Sequence, residues 1–405
     1  MGGDQRRHGR LCRALAAVAD RRHWRYETRQ AQHYEDTTGV TIIITDDDVQ
    51  RLLSMPECIA AMKVAFADFA KGDAVNRPRV RYMARHSQAD SRYFANVHVG
   101  AVPSYGIACV RAGSQILKPP SATVERRTYD SPTQFNWGVV ILYSTETAEP
   151  LAFLHEFHLS GMRVGATTGM FVDQVARADA ATLGLFGTGK QAASALEAIT
   201  CIRPISRVHV HSPDPDHRAD FARRHGRPGL AVVAVDDPRR VVAGADVICC
   251  ATNAMKAVFD GDWLEDGQIV VSIANSDVTN KRSEVDRRTF ERAAHIVVND
   301  WESVVENKQT ELTDLIDDGT VPRDKVHELG DLLIGKAAVT QPARGAPARG
   351  IIYYKNNSGL AIQFAAAGGV LYRKAMEQGV AKSIPSEWLG SDLSALYAAG
   401  YRPSP

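Results

Sequence analysis

The stretch TLGLFGTGKQAASALEAI, residues 182–199, decides the fold of this chain. Residues 183–186 form an apolar run with the length of one buried parallel strand. The pattern Gly187-x-Gly189-x-x-Ala192 follows, and a run of good helix formers comes after it. A strand, a glycine turn and a helix in this order are typical of a unit that binds a dinucleotide, here with Ala at the third glycine position.

Each small residue of this turn has a physical role. Gly187 permits the tight turn, Gly189 lets the backbone approach a pyrophosphate, and Ala192 lets the helix pack closely on the strand. The N–H groups at the start of the helix lack partners within the helix and face the phosphate charge. We therefore predict cofactor contacts from the turn and from residues at the ends of later strands. They are Gly187, Thr188, Gly189, Lys190, Gln191, Ser212, Thr252 and Ala274.

Strand and helix patterns alternate regularly from Thr182 onward. Strands are predicted at 183–186, 207–211, 230–233, 246–251, 269–273 and 295–298. Six strands in this rhythm indicate one Rossmann domain. The earlier part of the chain predicts strands at 40–45, 93–99, 107–113 and 139–144, and helices at 55–71 and 160–177. A last helix, 358–378, is so apolar that it should pack against the N-terminal part or a second subunit.

Composition excludes several classes of protein. The 405 residues are 44% hydrophobic and carry a net charge of +1, so neither a nucleic acid nor a membrane is an expected partner. No apolar stretch approaches the roughly 18–20 residues of a membrane span. The six cysteines lack metal-type spacing, which predicts no metal site and favours a reducing, cytoplasmic location. Residues 1–38 are rich in arginine and read as a flexible extension or an organelle transit peptide.

Several stretches together resemble the ornithine cyclodeaminase and mu-crystallin family. The resemblance runs from about Thr41 to Gln378, and the order and spacing of its pieces make it specific. The pieces are Met55-Pro-Glu, Arg77-Pro-Arg79, Glu149-Pro-Leu-Ala-Phe-Leu154, Leu159-Ser-Gly-Met-Arg-Val-Gly-Ala166, the glycine turn, Ala274-Asn-Ser-Asp277, Lys281-Arg282, Glu284-Val-Asp286, Gly330-Asp331-Leu332 and Asn357-Ser-Gly-Leu-Ala-Ile-Gln363.

The resemblance implies an α/β fold with a Rossmann-type NAD(P)-binding domain inserted in an α+β substrate-binding and dimerisation domain. The expected division is a basic extension over 1–38, the substrate-binding and dimerisation domain over 39–160 plus 345–390, and the Rossmann domain over 161–344. A homodimer through the substrate-binding domain is expected. Members of the family act on the C–N bond at the α-carbon of amino acids.

The resemblance also implies roles for single residues. Arg163 matches the arginine that binds the substrate carboxylate, a task suited to a guanidinium that forms two parallel hydrogen bonds. Arg79 matches a second carboxylate-binding arginine, although Arg77 and Arg81 are close by. Asp277 matches the catalytic carboxylate, and one extra residue separates Asp277 from Glu284 compared with the family pattern.

Two departures from the family pattern point to an altered substrate. The position of a substrate-facing lysine reads Ala108, for which Arg111 or Lys118 is a possible substitute. An Asp-Gly pair is replaced by His155 and Glu156, which we include as candidate substrate-binding residues beside Arg79 and Arg163. The alternative interpretation is an ordinary polar turn at the surface.

The choice of cofactor depends on the end of the second predicted strand. An NAD enzyme normally has a carboxylate about 20 residues past the glycines, which binds the ribose hydroxyls. Ser212 stands there, with His211, His217 and Arg218 near it, which favours NADP(H) over NAD(H). Asp214 is close enough to leave NAD(H) open.

Three functions compete at this point. The first is an NAD(P)-dependent oxidoreductase that interconverts an amino acid with its imine or keto acid. The second is a cyclodeaminase that keeps its NAD bound and releases ammonia. The third is a crystallin-like protein that binds a nucleotide or ligand without catalysis. The oxidoreductase is the leading hypothesis. The presence of Arg163 and Asp277 argues against a protein without catalysis, while the loss of the lysine at Ala108 argues mildly for it.

Overall fold

The computed structural model describes most of the chain after the basic extension. The described residues are 39–118, 128–130, 133, 135, 137–274, 276, 282–356, 358–394 and 398–399. The predicted extension over 1–38 and the candidate catalytic Asp277 therefore lie outside the described residues.

The described strands belong to two sheets. In chain order they are β1 Val40–Ile44, β2 Val75–Asn76, β3 Val80–Arg85, β4 Arg92–Val102, β5 Ile107–Lys118, β6 Thr128–Asp130, β7 Trp137–Ser144, β8 Pro150–His155, β9 Thr182–Phe186, β10 Arg207–His211, β11 Ala231–Ala234, β12 Val247–Cys250, β13 Ile269–Ser272, β14 Ala293–Val298, β15 Val326–Glu328, β16 Ile351–Lys355 and β17 Lys382–Pro385.

The helices alternate with these strands, most regularly in the second half of the chain. In chain order they are α1 Asp46–Leu52, α2 Met55–Lys71, α3 Phe157–Val175, α4 Lys190–Ile202, α5 Pro215–His225, α6 Arg239–Val242, α7 Arg287–Arg292, α8 Trp301–Glu306, α9 Thr310–Asp317, α10 Leu329–Leu333 and α11 Ala361–Gln378. Helix α2 has the bounds that the sequence predicts, because Ser54 and Glu57 form a capping box and Gly72 ends it in a left-handed conformation.

The first sheet is mixed, and its long central strands are antiparallel. Its order is β17-β1-β8-β7-β5-β4-β2, with β3 also paired to β4 and β6 to β5. Helix α11 packs on β4, β5 and α2, so the end of the chain returns to the sheet that the start of the chain builds. Strand β17 completes this return by pairing with β1.

The second sheet is the predicted Rossmann sheet, and it confirms the fold class. Its eight strands have the order β11-β10-β9-β12-β13-β16-β14-β15, and every ladder between them is parallel. Strands β12 and β13 are buried at every position, which is expected of a parallel sheet that helices cover on both faces.

One strand of this sheet lies beyond the predicted domain boundary at residue 345. Ile351–Lys355 was expected in the substrate-binding domain, but it pairs with β13 on one side and β14 on the other. Its Ile-Ile-Tyr-Tyr composition fits a buried strand, and all five residues are buried. The chain therefore completes the Rossmann sheet before it returns to the first sheet.

Helix α3 connects β8 of the first sheet to β9 of the second, and it packs closely on α4. Gly161 and Gly165 make this approach possible, since a Cβ on Gly165 would lie 2.4 Å from the hydroxyl oxygen of Ser194. The Ser194 hydroxyl donates to the carbonyl oxygen of Gly161 at 2.8 Å. The close packing fixes the first turns of α3, which carry Arg163, relative to the glycine turn that precedes α4.

The last helix packs within the chain. It was predicted over 358–378 and begins at Ala361. Ile362, Phe364 and Leu371 are fully buried against α2, β4 and β5. The apolar surface that suggested a dimer contact is therefore already covered. In the part of the chain that the structure describes, no helix has the length and apolar character needed to cross a bilayer.

Candidate active site

The glycine turn has the geometry that dinucleotide binding requires. Gly187 follows β9 with a φ of 105°, and a Cβ there would lie 2.3 Å from the carbonyl oxygen of Ala251. Gly189 is the N-cap of α4, and no capping side chain accepts from the first N–H groups of that helix. A Cβ on Gly189 would meet no atom within 4 Å. The turn thus offers open space and backbone donors where a pyrophosphate binds.

The start of α4, directly after the turn, lines a cavity of about 370 Å³ that lies between the two sheets. Its floor is one face of β3, β4 and β5, where Arg81, Asn96 and Gly113 stand opposite one another in register. The start of α3 supplies one wall, and loops at the carboxyl ends of the Rossmann strands supply the other. Of the predicted site residues, the cavity brings together Arg79, Glu156, Arg163, Lys190, Gln191, Thr252 and Ala274.

Arg163 is held toward the cavity by contacts on several sides. Its Nη1 donates to Oε1 of Gln363 at 2.8 Å, and its guanidinium carbon lies 4.9 Å from the ring centre of Phe364. A Cβ on Gly359 would approach the guanidinium to 3.0 Å, so that glycine makes room for it. Burial and then the charge of Arg111 lower the pKa of Arg163 to about 9. The side chain therefore stays protonated at neutral pH, and a bound carboxylate would stabilise its charge.

Arg111 and Glu156 form a buried ion pair inside the cavity. Arg111 donates from Nε to Oε2 of Glu156 at 3.2 Å and from Nη2 to Oε1 at 2.8 Å. Burial alone would raise the pKa of Glu156, but the charge of Arg111 and its hydrogen bond hold that pKa below its ordinary value. Glu156 is therefore an ionised partner that orients Arg111 at neutral pH.

Two glycines, which have no side chains, make room for this ion pair. Gly113 on β5 and Gly138 on β7 face each other in register. A Cβ on Gly138 would lie 2.3 Å from Cγ of Glu156, and a Cβ on Gly113 would lie 3.0 Å from the Arg111 guanidinium. We call the space over Gly113 and Gly138 the glycine gap. Arg111 and Gln115 of β5 line the cavity, whereas Ala108 does not.

His98 is a site residue that the sequence reasoning missed. It lies on β4 opposite Arg111, is 3% exposed, and lines the cavity beside the ring of Phe364. Burial, followed by the charges of Arg111 and Arg163, lowers the pKa of His98 well below its ordinary value. Its Nδ1 has no hydrogen-bond partner among the described residues. His98 is thus a neutral group available to a bound ligand.

Lys190 joins the Rossmann turn to the start of α3. Its ammonium group donates to the carbonyl oxygen of Phe157 at 2.7 Å and lies 3.6 Å from the centre of the Phe157 ring. Gly161 leaves room for its aliphatic carbons, which a Cβ would approach to 3.3 Å. Burial lowers the pKa of Lys190, and the charge of Glu156 opposes this effect. The cation lies in the first turn of α4, directly after Gly189.

A buried carboxylate fixes the loops that follow β12 and β13. Glu284 is fully buried and accepts from the backbone N–H of Thr252 at 2.5 Å and of Ala274 at 2.7 Å. Burial raises the pKa of Glu284, while these hydrogen bonds oppose the rise. Thr252 and Ala274 line the cavity where the sequence predicts cofactor contacts. Glu284 belongs to the motif Glu284-Val-Asp286 of the family resemblance, but the sequence predicted no role for it.

Five described residues of the predicted site are not among those that line the cavity: His155, Gly187, Thr188, Gly189 and Ser212. His155 does not line the cavity, and its Nδ1 lies 3.2 Å from Oδ1 of Asp46. His155 is therefore not placed to bind a substrate in this cavity. Ser212 follows β10, and its carbonyl oxygen accepts from Nη1 of Arg218 at 2.9 Å.

The comparisons with known proteins agree with this architecture. A model of the ornithine cyclodeaminase/mu-crystallin family matches residues 39–379. The chain belongs to this family. It is similar to Delta(1)-pyrroline-2-carboxylate reductase from Bacillus cereus, with 25% identity over 354 residues that cover 85% of this chain and 99% of the relative.

Two solved structures of this family share the fold. One is Thermococcus litoralis Delta(1)-pyrroline-2-carboxylate reductase in complex with NADH and L-proline, at 23% identity and a TM-score of 0.71, covering 85% of this chain and 100% of that one. The other is an archaeal alanine dehydrogenase dimer with bound NAD, also at 23% identity and a TM-score of 0.71, covering 85% and 99%. Each match spans nearly the whole of the similar protein, so it includes both sheets of this chain.

Proposed function

We propose that this member of the ornithine cyclodeaminase/mu-crystallin family is an NAD(P)-dependent oxidoreductase that acts on the C–N bond at the α-carbon of an amino acid or imine. The observation that carries the proposal is the cavity, in which the first residues of α4, directly after the glycine turn, share the lining with a group of arginines. The curated reductase to which the chain is similar supports the same reaction class.

Some of the residues around the cavity suit the cofactor, and others suit the substrate. The open space at Gly189 and the donors at the start of α4 suit the pyrophosphate, while Thr252 and Ala274 suit the nicotinamide end. A nicotinamide held there would supply the hydride that reduces the C=N bond at the α-carbon, and the nitrogen would take up one proton. Arg163 and Arg111, with Arg79, hold the carboxylate and thereby set the angle of the α-carbon.

A spectrophotometric screen tests the reaction class. NADH and NADPH oxidation is measured at 340 nm with 2-oxo acids plus ammonium, with 2-oxo acids plus amines, and with cyclic imines. Oxidation that depends on both substrates is the expected result. Release of ammonia from an amino acid without net consumption of cofactor would instead establish the cyclodeaminase. Nucleotide binding without turnover of any substrate would favour the crystallin-like alternative.

We infer a preference for the phosphorylated cofactor from the end of β10. Arg218 places its guanidinium beside the carbonyl oxygen of Ser212, close to the position where a 2′-phosphate binds. Asp214, the carboxylate that left NAD open, is engaged as the N-cap of α5 and accepts from the N–H groups of Asp216 and His217. The ratio of kcat/KM with NADPH to that with NADH should exceed one and should fall about tenfold in Arg218→Ala.

We also propose that the active form is a homodimer. The support is an exposed apolar surface on one face of β2 and β3, which includes Val75, Val80 and Tyr82. A second copy of the chain would cover this surface, which lies on the predicted dimerisation domain. Light scattering should show a dimer at micromolar concentration and a monomer for Tyr82→Glu. The division into domains and the cytoplasmic location stay predictions.

A further inference from the structure

A buried glutamine, Gln363, joins Arg163 to the start of the last helix. Its Oε1 accepts from Nη1 of Arg163 at 2.8 Å and from the backbone N–H of Leu360 at 2.9 Å. Its Nε2 donates to Oγ1 of Thr167 at 2.7 Å, and the Thr167 hydroxyl donates to the carbonyl oxygen of Arg163 at 2.7 Å. A closed ring of hydrogen bonds therefore holds both the side chain and the backbone of Arg163.

The donors around Gln363 determine the orientation of its amide group. A backbone N–H and a guanidinium only donate hydrogen bonds, so the amide atom that meets Leu360 and Arg163 has to be the oxygen. The Nε2 group then meets Thr167, whose hydroxyl accepts one hydrogen bond while it donates another. Gln363 and Thr167 are both 0% exposed, so water does not compete for these bonds. The direction of the guanidinium thus follows from buried, packed residues.

The helix that carries Gln363 is itself fixed at its start. The backbone N–H of Ala361 donates to Oδ1 of Asn76 at 2.7 Å, which ties α11 to β2. A Cβ on Gly100 of β4 would lie 2.9 Å from Cβ of Ala361, so the start of the helix also packs closely on that strand. Gln363 therefore positions Arg163 relative to the sheet that forms the floor of the cavity.

The two arginines beside the ring of Phe364 have partners of different charge. Arg111 is bound by the carboxylate of Glu156 at 2.8 Å, and this ion pair cancels its net charge. Arg163 is bound by a neutral amide, and no ion pair joins it to a carboxylate in the part of the chain that the structure describes. Its Nε is buried and has no hydrogen-bond partner among the described residues. Arg163 is thus oriented by the protein but not neutralised by it.

We propose that Gln363 is a positioning residue, which fixes the direction of the Arg163 guanidinium and leaves its positive charge to the substrate carboxylate. The inference rests on the proposed oxidoreductase function and specifies how its substrate is oriented. Because a guanidinium binds a carboxylate roughly twice as strongly as a neutral acceptor, an amide holds Arg163 without competing with the substrate. Arg111, whose charge Glu156 cancels, then contributes hydrogen bonds more than net charge.

The competing explanation is that Gln363 only caps the last helix, through its bond to the N–H of Leu360. Gln363→Glu separates the two roles. A glutamate at this position keeps the cap and interacts favourably with the helix dipole, and the Thr167 hydroxyl can turn to donate to its second oxygen. The same substitution places a negative charge against Arg163, where it competes with the substrate carboxylate.

Steady-state kinetics of Gln363→Glu, on a substrate found in the screen, is the first test. We expect KM to rise about 10- to 100-fold, while kcat changes by less than about fivefold. The unfolding temperature should stay within about 3 °C of the parent, since the cap is kept. A role in capping alone predicts no change in KM, so a KM within about twofold of the parent would overturn the proposal.

Gln341→Glu is the matched control, because Gln341 is another buried glutamine and lies outside the cavity. It should leave KM unchanged, whatever the cost of burying its carboxylate. Gln363→Met is the second variant, since it removes the acceptor without adding a charge. Its KM should rise about tenfold and its kcat should also fall, because the guanidinium loses its fixed direction. Unchanged kinetics of Gln363→Met, with only a lower unfolding temperature, would reduce Gln363 to a helix cap.

Calorimetry separates failure of this inference from failure of the proposed function. The NAD(P)⁺-saturated protein is titrated with a panel of α-methyl amino acids, which carry the carboxylate but have no α-hydrogen to transfer. If no oxo acid or imine consumes cofactor, the oxidoreductase function fails. Binding that weakens at least tenfold in Gln363→Glu would still support the positioning role in that case. Equal affinity of the two proteins, or no binding of any α-methyl amino acid to the parent, would reject it.

Discussion

Glycines shape both halves of the candidate site, but they do so for different occupants. At the Rossmann turn, Gly189 borders open space, because a Cβ there would meet no protein atom within 4 Å. At the glycine gap, Gly113 and Gly138 border side chains of the protein itself, the ion pair of Arg111 and Glu156. We propose that the first kind of space takes a cofactor from solution, whereas the second positions a charged group that meets the substrate.

This difference has a consequence for mutation. A side chain added at Gly189 competes with a ligand and leaves the cofactor-free fold alone. A side chain added at Gly138 competes with Glu156, so the protein has to rearrange its own charges. Gly187 is a third case, since its obstacle is the backbone carbonyl of Ala251, which cannot move aside as a side chain can.

Gly189→Val should give the largest effect on function. A branched side chain would occupy the pyrophosphate space, and we expect the affinity for NAD(P)H to fall by about 10³-fold or to become unmeasurable. The unfolding temperature of the cofactor-free protein should change by no more than about 2 °C, because the added atoms meet no neighbour. Calorimetry and thermal unfolding measure the two quantities.

Gly187→Ala provides the contrast within the same turn. Its left-handed backbone alone costs an L-residue about 1–2 kcal/mol, and the contact with Ala251 adds to this cost. Gly187→Ala should therefore lower the stability of the cofactor-free protein, unlike Gly189→Val. Equal stability of the two variants would contradict the distinction between ligand space and backbone space.

Asp277→Asn should lower kcat by about 10²–10⁴-fold with little change in KM. Asn is nearly isosteric with Asp, but it neither takes up a proton nor carries the charge that stabilises a developing ammonium. Steady-state kinetics on a substrate found in the screen measures the effect. A kcat within about threefold of the parent would place the catalytic carboxylate elsewhere, and Glu156 would be the next candidate because it lines the cavity.

Arg163→Ala should act mainly on KM. A charge-assisted bidentate pair in a partly desolvated site contributes roughly 2–4 kcal/mol, which corresponds to about 30- to 1000-fold. Some loss of kcat is also expected, since the carboxylate sets the angle at which hydride arrives. Arg207→Gln, a change to an exposed arginine outside the cavity, controls for loss of charge. A purely kcat effect of Arg163→Ala would contradict carboxylate binding in the ground state.

The Rossmann half could be predicted from sequence because its signals are local. Strand β9, the two glycines and the start of α4 lie within a few consecutive residues, and their spacing alone specifies the turn. Strand β16 was missed because it follows a long loop and inserts between β13 and β14, an order that periodicity does not reveal. Its Ile-Ile-Tyr-Tyr composition was nevertheless a usable strand signal.

The substrate half depends on register, which a single sequence does not specify. Arg111 was considered as a substitute at the lysine position, but its pairing with Glu156, which lies 45 residues away, follows only from the ladders of β5, β7 and β8. Asn96 and His98 alternate on β4 in a way that indicates one polar face. The pattern does not say whether that face meets solvent or a cavity, and so His98 was missed.

Gly138→Ala should give the smallest of these effects, and it is the most direct test of the glycine gap. Its methyl group would lie 2.3 Å from Cγ and 2.6 Å from Oε1 of Glu156, so Glu156 has to leave Arg111. We expect kcat/KM to fall about tenfold and stability to drop by about 1–3 kcal/mol, as for other overpacked sites. Gly390→Ala is the control, since a Cβ there meets nothing within 4 Å.

A double-mutant cycle isolates the contact between Gly138 and Glu156. Glu156→Ala alone leaves Arg111 buried without its partner and should itself be destabilising. Once the Glu156 side chain is gone, the methyl group of Gly138→Ala has no carboxylate to displace, and adding this change should alter kcat/KM by less than about twofold. The two substitutions should thus be strongly non-additive. Additive effects would mean that Gly138 acts through the backbone of β7, and the gap would then no longer explain how Arg111 is positioned.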